Sequence, residues 1–239
     1  TLLPMKKLSS MKETVATDFT CEFCQRSFKR ETTLISHVCE SKRRYNDRDK
    51  IANRIGFNAW VQFYNNHSRK QKRDYLDFAK SAYYTAFVKF GSFINNVDPL
   101  YPEKFVDFVI KSGVKLDHWC REELYEKYVL DLIKTEPVEV ALERSLKHMM
   151  DWAENNNSVW NHYFLYVSLS RSTYDIKDGK ISPWLILTAD SSKSRLKTLN
   201  DEELNMIQVV IDPLYWVDKF KKHPSDLQFV NRIIQESNL

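Results

Sequence analysis

The sequence predicts a predominantly helical α+β fold, and three observations carry that expectation. Helical periodicity dominates from about residue 47 to residue 155. Runs of β-branched and aromatic residues follow a polar break at Asn155-Asn156-Asn157-Ser158. A compact stretch of cysteines and one histidine near the front has the size of a separate small unit. The expected organisation is a flexible tail over 1–16, a small unit with a basic extension over 17–44, a helical domain over 45–155 and an α+β domain over 156–239.

The first unit is carried by Cys21-Glu-Phe-Cys24, twelve further residues, and then His37-Val38-Cys39. Thiolates and imidazole are the ligands of a tetrahedral structural zinc, and two cysteines separated by two residues can aim both sulfurs at one ion through a tight turn. Three of the four cysteines of the chain lie in this stretch. The alternative is that they are merely buried thiols.

Around these ligands Phe19 stands two before Cys21, Phe28 four after Cys24, Leu34 six beyond that and His37 three further on. In that register the stretch resembles the C2H2 zinc-finger family. The resemblance implies a β-β-α unit from about Asp18 to Cys39, in which a hairpin carrying both cysteines packs on a short helix. A unit of this size needs a metal staple, because it cannot bury enough apolar surface to stay folded alone. The fourth ligand departs from the family pattern, since Cys39 follows His37 by only two residues. At 3.6 residues per turn such a pair points to opposite faces, so the helix is predicted to end near His37, with Cys39 entering from a non-helical turn.

The same resemblance assigns nucleic-acid readout to Arg30, just before the helix, and to Thr32, Thr33 and Ser36 within it. Arg30 could fork onto guanine, the hydroxyls would discriminate weakly, and Lys29 would meet phosphate. Some fingers bind proteins instead, for which the adjacent Ile35 offers an apolar surface.

The net charge of +4 is unevenly placed. From Arg26 to Lys80 there are fourteen Lys or Arg against six Asp or Glu, so this third carries +8 and the remainder −4. Arg26, Lys42, Arg43, Arg44, Arg48, Lys50 and Arg54 are followed by a second cluster, Arg69, Lys70, Lys72 and Arg73. Basic runs are often solvated helix faces; beside a finger they suit a polyanion, with steep salt dependence from counterion release.

Helices are expected in order over 47–65, with Ile51, Ile55, Ala59 and Phe63 as one stripe, and over 75–93, with Tyr83, Phe87 and Phe90 on one side. Pro102 opens the next, over 103–112, and Gly113 supplies a left-handed stop. Two more follow over 117–134 and 137–155. Beyond the break, Val159–Ser168 and Trp184–Thr188, with Asp178-Gly179 as a tight-turn signal, predict a small antiparallel sheet. Helix returns over 199–210, capped by Asn200 or Asp201, and Pro213 and Pro224 punctuate two final pieces ending near Glu236.

Signals for catalysis are sparse. Four scattered glycines make no phosphate-cradling loop. His118 and Cys120 are raw material for a thiol nucleophile but would point apart on a helix, and Glu122, Glu123, Glu126 and Asp131 are the carboxylates a magnesium-dependent nuclease would draw on. The longest uncharged apolar stretch, 159–169, is too short to span a bilayer, and the start lacks the apolar core of a secretion signal. Cysteine usage suits a reducing compartment. The segments 95–102 and 112–121 look like those of uncharacterised proteins of T4-like tailed bacteriophages, which implies a role in phage DNA or RNA metabolism or assembly in the host cytoplasm.

The sequence therefore points to an intracellular, zinc-dependent DNA- or RNA-binding protein without a membrane association. The alternatives are an adaptor in a replication, transcription or assembly complex, with partner surface on the helical or α+β region and a purely structural finger, or a metal-dependent nuclease.

Overall fold

The computed structural model describes residues 18–67 and 72–239; the expected tail over 1–16 lies outside the described residues. The chain forms two compact units, Thr1–Asn96 and Val97–Leu239. The boundary expected near residue 155 falls inside the second unit. The predicted fold class holds: fifteen α-helices accompany one two-stranded antiparallel sheet among the described residues.

The first unit opens with β1 (Phe19–Thr20) and β2 (Ser27–Phe28), paired Phe19 to Phe28 and Thr20 to Ser27. Five helices follow: α1 (Glu31–Ser36), α2 (Glu40–Asn46), α3 (Ile51–His67), α4 (Tyr75–Lys80) and α5 (Tyr84–Val97). The periodic stretch predicted over 75–93 is thus two helices. Asp74 and Asp77 form a capping box that starts α4, and Ser81 adopts an extended conformation that ends it.

The face that α3 buries is rotated from the predicted stripe: Ile51 is exposed, while Asn53, Gly56, Ala59 and Trp60 are buried. Two contacts explain the rotation. The Asn53 side-chain amide donates to the Tyr84 hydroxyl at 2.8 Å, which draws Tyr84 inward and leaves Tyr83 exposed. At the crossing of α3 and α5, a Cβ on Gly91 would lie 2.1 Å from the Ala52 carbonyl oxygen and 2.7 Å from the Gly56 nitrogen. Only glycine permits backbones this close.

The second unit holds α6 (Pro102–Lys111), α7 (Glu122–Thr135), α8 (Val138–Asn156), α9 (Tyr163–Tyr166) and α10 (Leu169–Lys177). It continues with α11 (Pro183–Ile186), α12 (Asp190–Leu196), α13 (Asp201–Ile207), α14 (Pro213–Lys222) and α15 (Pro224–Ser237). Gly113 takes the left-handed conformation expected after α6, and Asn200 forms a capping box with Glu203 at α13. Among the described residues, no helix is long and apolar enough to cross a membrane.

The antiparallel sheet expected in the C-terminal third is corrected to helix. Ser182 accepts from the Trp184 amide and Pro183 occupies the first turn of α11, so a start signal outweighs the β-branched composition of this run. Residues Ile181–Ile186 are buried on every side, where a short apolar run reads alike as strand or helix. Within 159–168 a 3-10 turn (Trp160–His162) leads into α9, and Ser168 caps α10. Gly179 closes α10 with φ +71° and its amide on the Ile176 carbonyl, so the Asp178-Gly179 signal marks a helix end instead of a hairpin.

Two buried charges organise this unit. Arg144 grips Glu136 with both terminal nitrogens and donates from Nε to the Gly179 carbonyl at 2.9 Å. Asp175, 1% exposed, accepts from the Tyr163 hydroxyl at 2.7 Å and Arg171 Nε at 2.9 Å, and lies 2.9 Å from His148 Nε2. Burial pushes the Asp175 carboxyl up, but contacts with His148, Tyr163 and Arg171 outweigh it and hold it below the ordinary value.

Two outcomes are expected. Gly91→Ala should destabilise the protein by about 3 kcal/mol in urea unfolding, against a few tenths for Lys89→Ala on the exposed side of α5; equal effects would refute the close crossing. Because the folded Asp175 pKa is depressed, its stabilisation is present above the ordinary carboxyl value of 3.8 and is lost as pH falls through the folded value. The stability gap between the native protein and Asp175→Asn should therefore narrow as pH falls below the ordinary carboxyl value of 3.8, and a constant gap would contradict the assignment.

Candidate metal centre

The β1–β2 hairpin is tied at its tip by the Cys21 amide on the Arg26 carbonyl at 2.9 Å and the Gln25 amide on the Cys21 carbonyl at 2.8 Å. Gln25 holds a left-handed φ of 60°, and its side-chain amide donates to the Glu22 carbonyl at 2.9 Å. This knuckle folds Cys24 back beside Cys21. Helix α1 ends at His37, whose amide donates to the Leu34 carbonyl and whose backbone is already extended. Cys39 follows in a non-helical conformation and caps α2, its sulfur accepting the Lys42 amide at 3.4 Å. The predicted helix end and non-helical entry of Cys39 are both present.

These four side chains converge. One ligand atom from each of Cys21, Cys24, His37 and Cys39 lies within 4.8 Å of the others, and Cys24 Sγ is 3.3 Å from His37 Nε2. A tetrahedral ion with metal–sulfur bonds of about 2.3 Å needs ligand–ligand edges of about 3.8 Å, so the group is close enough to hold a metal ion. The Phe28 ring packs on the His37 imidazole at 4.8 Å and fixes its plane, while Lys42 Nζ donates to the His37 carbonyl at 3.2 Å.

The thiols diverge in acidity. Burial pushes Cys21 up, but the amides of Cys24 and Phe23 and hydrogen bonds with Cys24 and Cys39 reverse this and lower its pKa. At Cys24 the Arg26 backbone contact favours the thiolate, yet burial, Cys21 and Cys39 together raise the pKa. One thiolate is thus favoured and the next disfavoured by its neighbours. A bound cation removes that conflict, because it stabilises every thiolate at once.

Sequence reading missed how the knuckle is anchored. Phe23, between the two cysteines, stacks at 5.3 Å on Tyr45 of α2, which meets Tyr75 at 6.0 Å. Lys80 Nζ reaches the Glu22 carbonyl at 3.3 Å. The aromatic between the ligands was the only available signal.

The proposed nucleic-acid contacts fall into distinct groups. Arg26, Lys29, Arg30, Thr32, Thr33, Arg43 and Arg54 are exposed. Ser36 spends its hydroxyl on the Thr32 and Thr33 carbonyls at 3.1 and 3.2 Å. Arg44 is committed to the fold, because it donates to the Ala79 and Ser81 carbonyls at 3.2 and 3.3 Å, pairs with Glu40, and stacks 4.6 Å over Tyr84. Arg48 packs on Tyr45, Lys50 pairs with Asp47 at 2.8 Å, and Arg73 packs on Tyr64. Lys72 is exposed, and Arg69 and Lys70 lie outside the described residues.

Among the described residues, Cys21, Cys24, His37 and Cys39 are the one group of three or more His, Cys, Asp or Glu brought to metal-binding distance. The four carboxylates considered for a nuclease are not assembled, and Glu126 pairs with Lys177 at 3.1 Å. Compared with protein-family models, curated proteins and solved structures, the chain matches none.

Metal analysis of the purified chain should find one ion per molecule. Cys21→Ser and Cys39→Ser should each weaken its retention on the order of 100-fold or more in competition with a chelator. Undiminished retention in either variant would remove that sulfur from the ligand set.

Proposed function

We propose that this protein is a zinc-dependent nucleic-acid-binding protein whose N-terminal unit meets DNA or RNA through the metal knuckle and the basic residues beside it. The observation that carries this reading is the convergence of three cysteines and one histidine next to exposed Arg26, Lys29, Arg30 and Arg43. Three thiolates and one imidazole suit zinc above the harder divalent cations. They also fill all four tetrahedral positions, so the ion is structural and leaves no site for a reacting water.

Zinc bonding would fix α1 and the cap of α2 together, presenting their cations as one rigid surface. Arg30 stands at the start of α1, where its fork can reach guanine O6 and N7, and Lys29 and Arg43 supply phosphate contacts. The resemblance of two segments to proteins of T4-like phages supports a role in phage DNA or RNA metabolism.

A second reading has its own observation. Ile35 and Val38 are 69% and 68% exposed on and just beyond α1, so the finger also offers apolar surface to a protein partner. Salt separates the readings, because phosphate binding releases counterions whereas an apolar contact does not.

Binding of the zinc-loaded chain to single- and double-stranded DNA and RNA should weaken tenfold or more over a modest rise in salt. Arg43→Ala should reduce the slope of log affinity against log salt by about 1, and Arg30→Ala should relax sequence preference. Cys21→Ser with Cys24→Ser should abolish the salt-steep component. Absence of binding at low salt with zinc in place would favour the protein-partner reading.

A further inference from the structure

The second unit contains a cleft of about 1160 Å³ that the metal centre does not explain. One wall is a single face of α8, running from Val140 through Arg144, His148 and Trp152 to Asn156. At 1.5 Å per residue that face is about 24 Å long. Its chemistry changes along its length. Near its middle α8 presents Lys147, toward its end it presents Trp152 and Asn155, and Lys180 enters the lining from beyond α10. Tyr166 of α9 and Arg171 of α10 also line it.

Asp175 does not line the cleft but contacts two residues that do, His148 and Arg171. Its buried carboxylate holds Arg171 through Nε, on a side chain that is half-exposed and lines the cleft. It also lies against His148, and it anchors the Tyr163 hydroxyl, whose ring backs Trp152 at 5.2 Å. One buried charge therefore sets the positions of a cation, an imidazole and an aromatic wall. Lys147 and Lys180 have no ion-pair partner among the described residues, whereas Arg144 is occupied by Glu136. Tyr166, 68% exposed, lines the same cleft, with its ring edge-on to His162 at 5.7 Å.

We propose that this cleft binds a nucleoside phosphate, its phosphate held by Arg171, Lys147 and Lys180 and its base stacked between Trp152 and Tyr166. A guanidinium fork with two ammonium groups matches phosphate oxygens, and an indole and a phenol ring match the face of a base. Asp98, Glu143 and Asp151 also line the cleft, so it is not simply a cation basin. Asp151 stands one residue from Trp152, where a carboxylate accepts from ribose hydroxyls or an exocyclic amine, as acidic residues do in nucleotide sites. The phosphate chemistry is common to a free nucleotide and to the end of a single strand. The site lies wholly in the second unit and does not depend on the finger reading.

The test uses the full zinc-loaded chain and its Cys21→Ser, Cys24→Ser variant, titrated calorimetrically with AMP, ATP, inorganic phosphate and a 5′-phosphorylated thymidine pentamer. Submillimolar binding of a nucleotide that survives in the cysteine variant is expected, with inorganic phosphate weaker. Lys147→Ala and Tyr166→Ala, both at exposed positions that leave the fold intact, should each weaken it about tenfold. A pentamer bound tenfold more tightly than AMP in the cysteine variant identifies a strand end as the occupant, and equal affinity identifies free nucleotide. Absence of submillimolar binding by any of these probes in the cysteine variant, or binding that neither substitution changes, overturns the proposal. Absence of duplex or single-strand binding by the zinc-loaded native chain, with nucleotide binding retained, would count against the finger reading alone.

Discussion

Helix α1 buries none of its residues, and the hairpin before it contributes only two residues per strand. Apolar burial alone cannot fix such a piece of chain. Its shape rests on three thiols and one imidazole pointed at one place, a set close enough to hold a metal ion. Cys39 adds a second duty, since the sulfur that completes the set also caps α2. A metal ion held by this set would be coupled to the start of α2 through one atom, and the knuckle is further held by Phe23 against Tyr45.

The metal centre was legible because its rules are local. A spacing of two residues in Cys21–Cys24, and a spacing of two in His37–Cys39 that no helix can satisfy, fix the turn and the helix end without reference to the rest of the chain. Helix caps behaved alike: Asn200 with Glu203, Pro102 and Gly113 act within one turn. The C-terminal sheet was misread where burial is decided far away. Residues Ile181–Ile186 pack against α8, α12 and α15, and composition cannot separate a buried strand from a buried helix of that length. The Ser182-Pro183 start signal was present but was outweighed by the aromatic and branched residues around it.

Charge was legible as quantity but not as use. The count of +8 over 26–80 treats Arg44 and Arg43 as equivalents, yet these neighbours on α2 play different parts. Arg44 satisfies two carbonyls where α4 ends and covers the Tyr84 ring, so its removal would leave buried acceptors unpaired. Arg43 is exposed and can reach a polyanion. The exposed cationic surface is smaller than the charge count alone suggests.

Asp175 presents the opposite case, a charge that no sequence count would single out. A carboxylate at 1% exposure is costly to desolvate, and replacing such groups by apolar residues often stabilises a protein. Its three partners offset much of that cost, but they do not explain why the network opens on a cleft instead of closing inside the core. Arg144 and Glu136 form the closed version of the same device, with both side chains nearly inaccessible. At Asp175 one partner, Arg171, remains half in solvent, with its Nε held by the carboxylate. Rigid placement of an exposed guanidinium lowers the ordering cost of anion binding, which is the gain that offsets a buried charge at such a place.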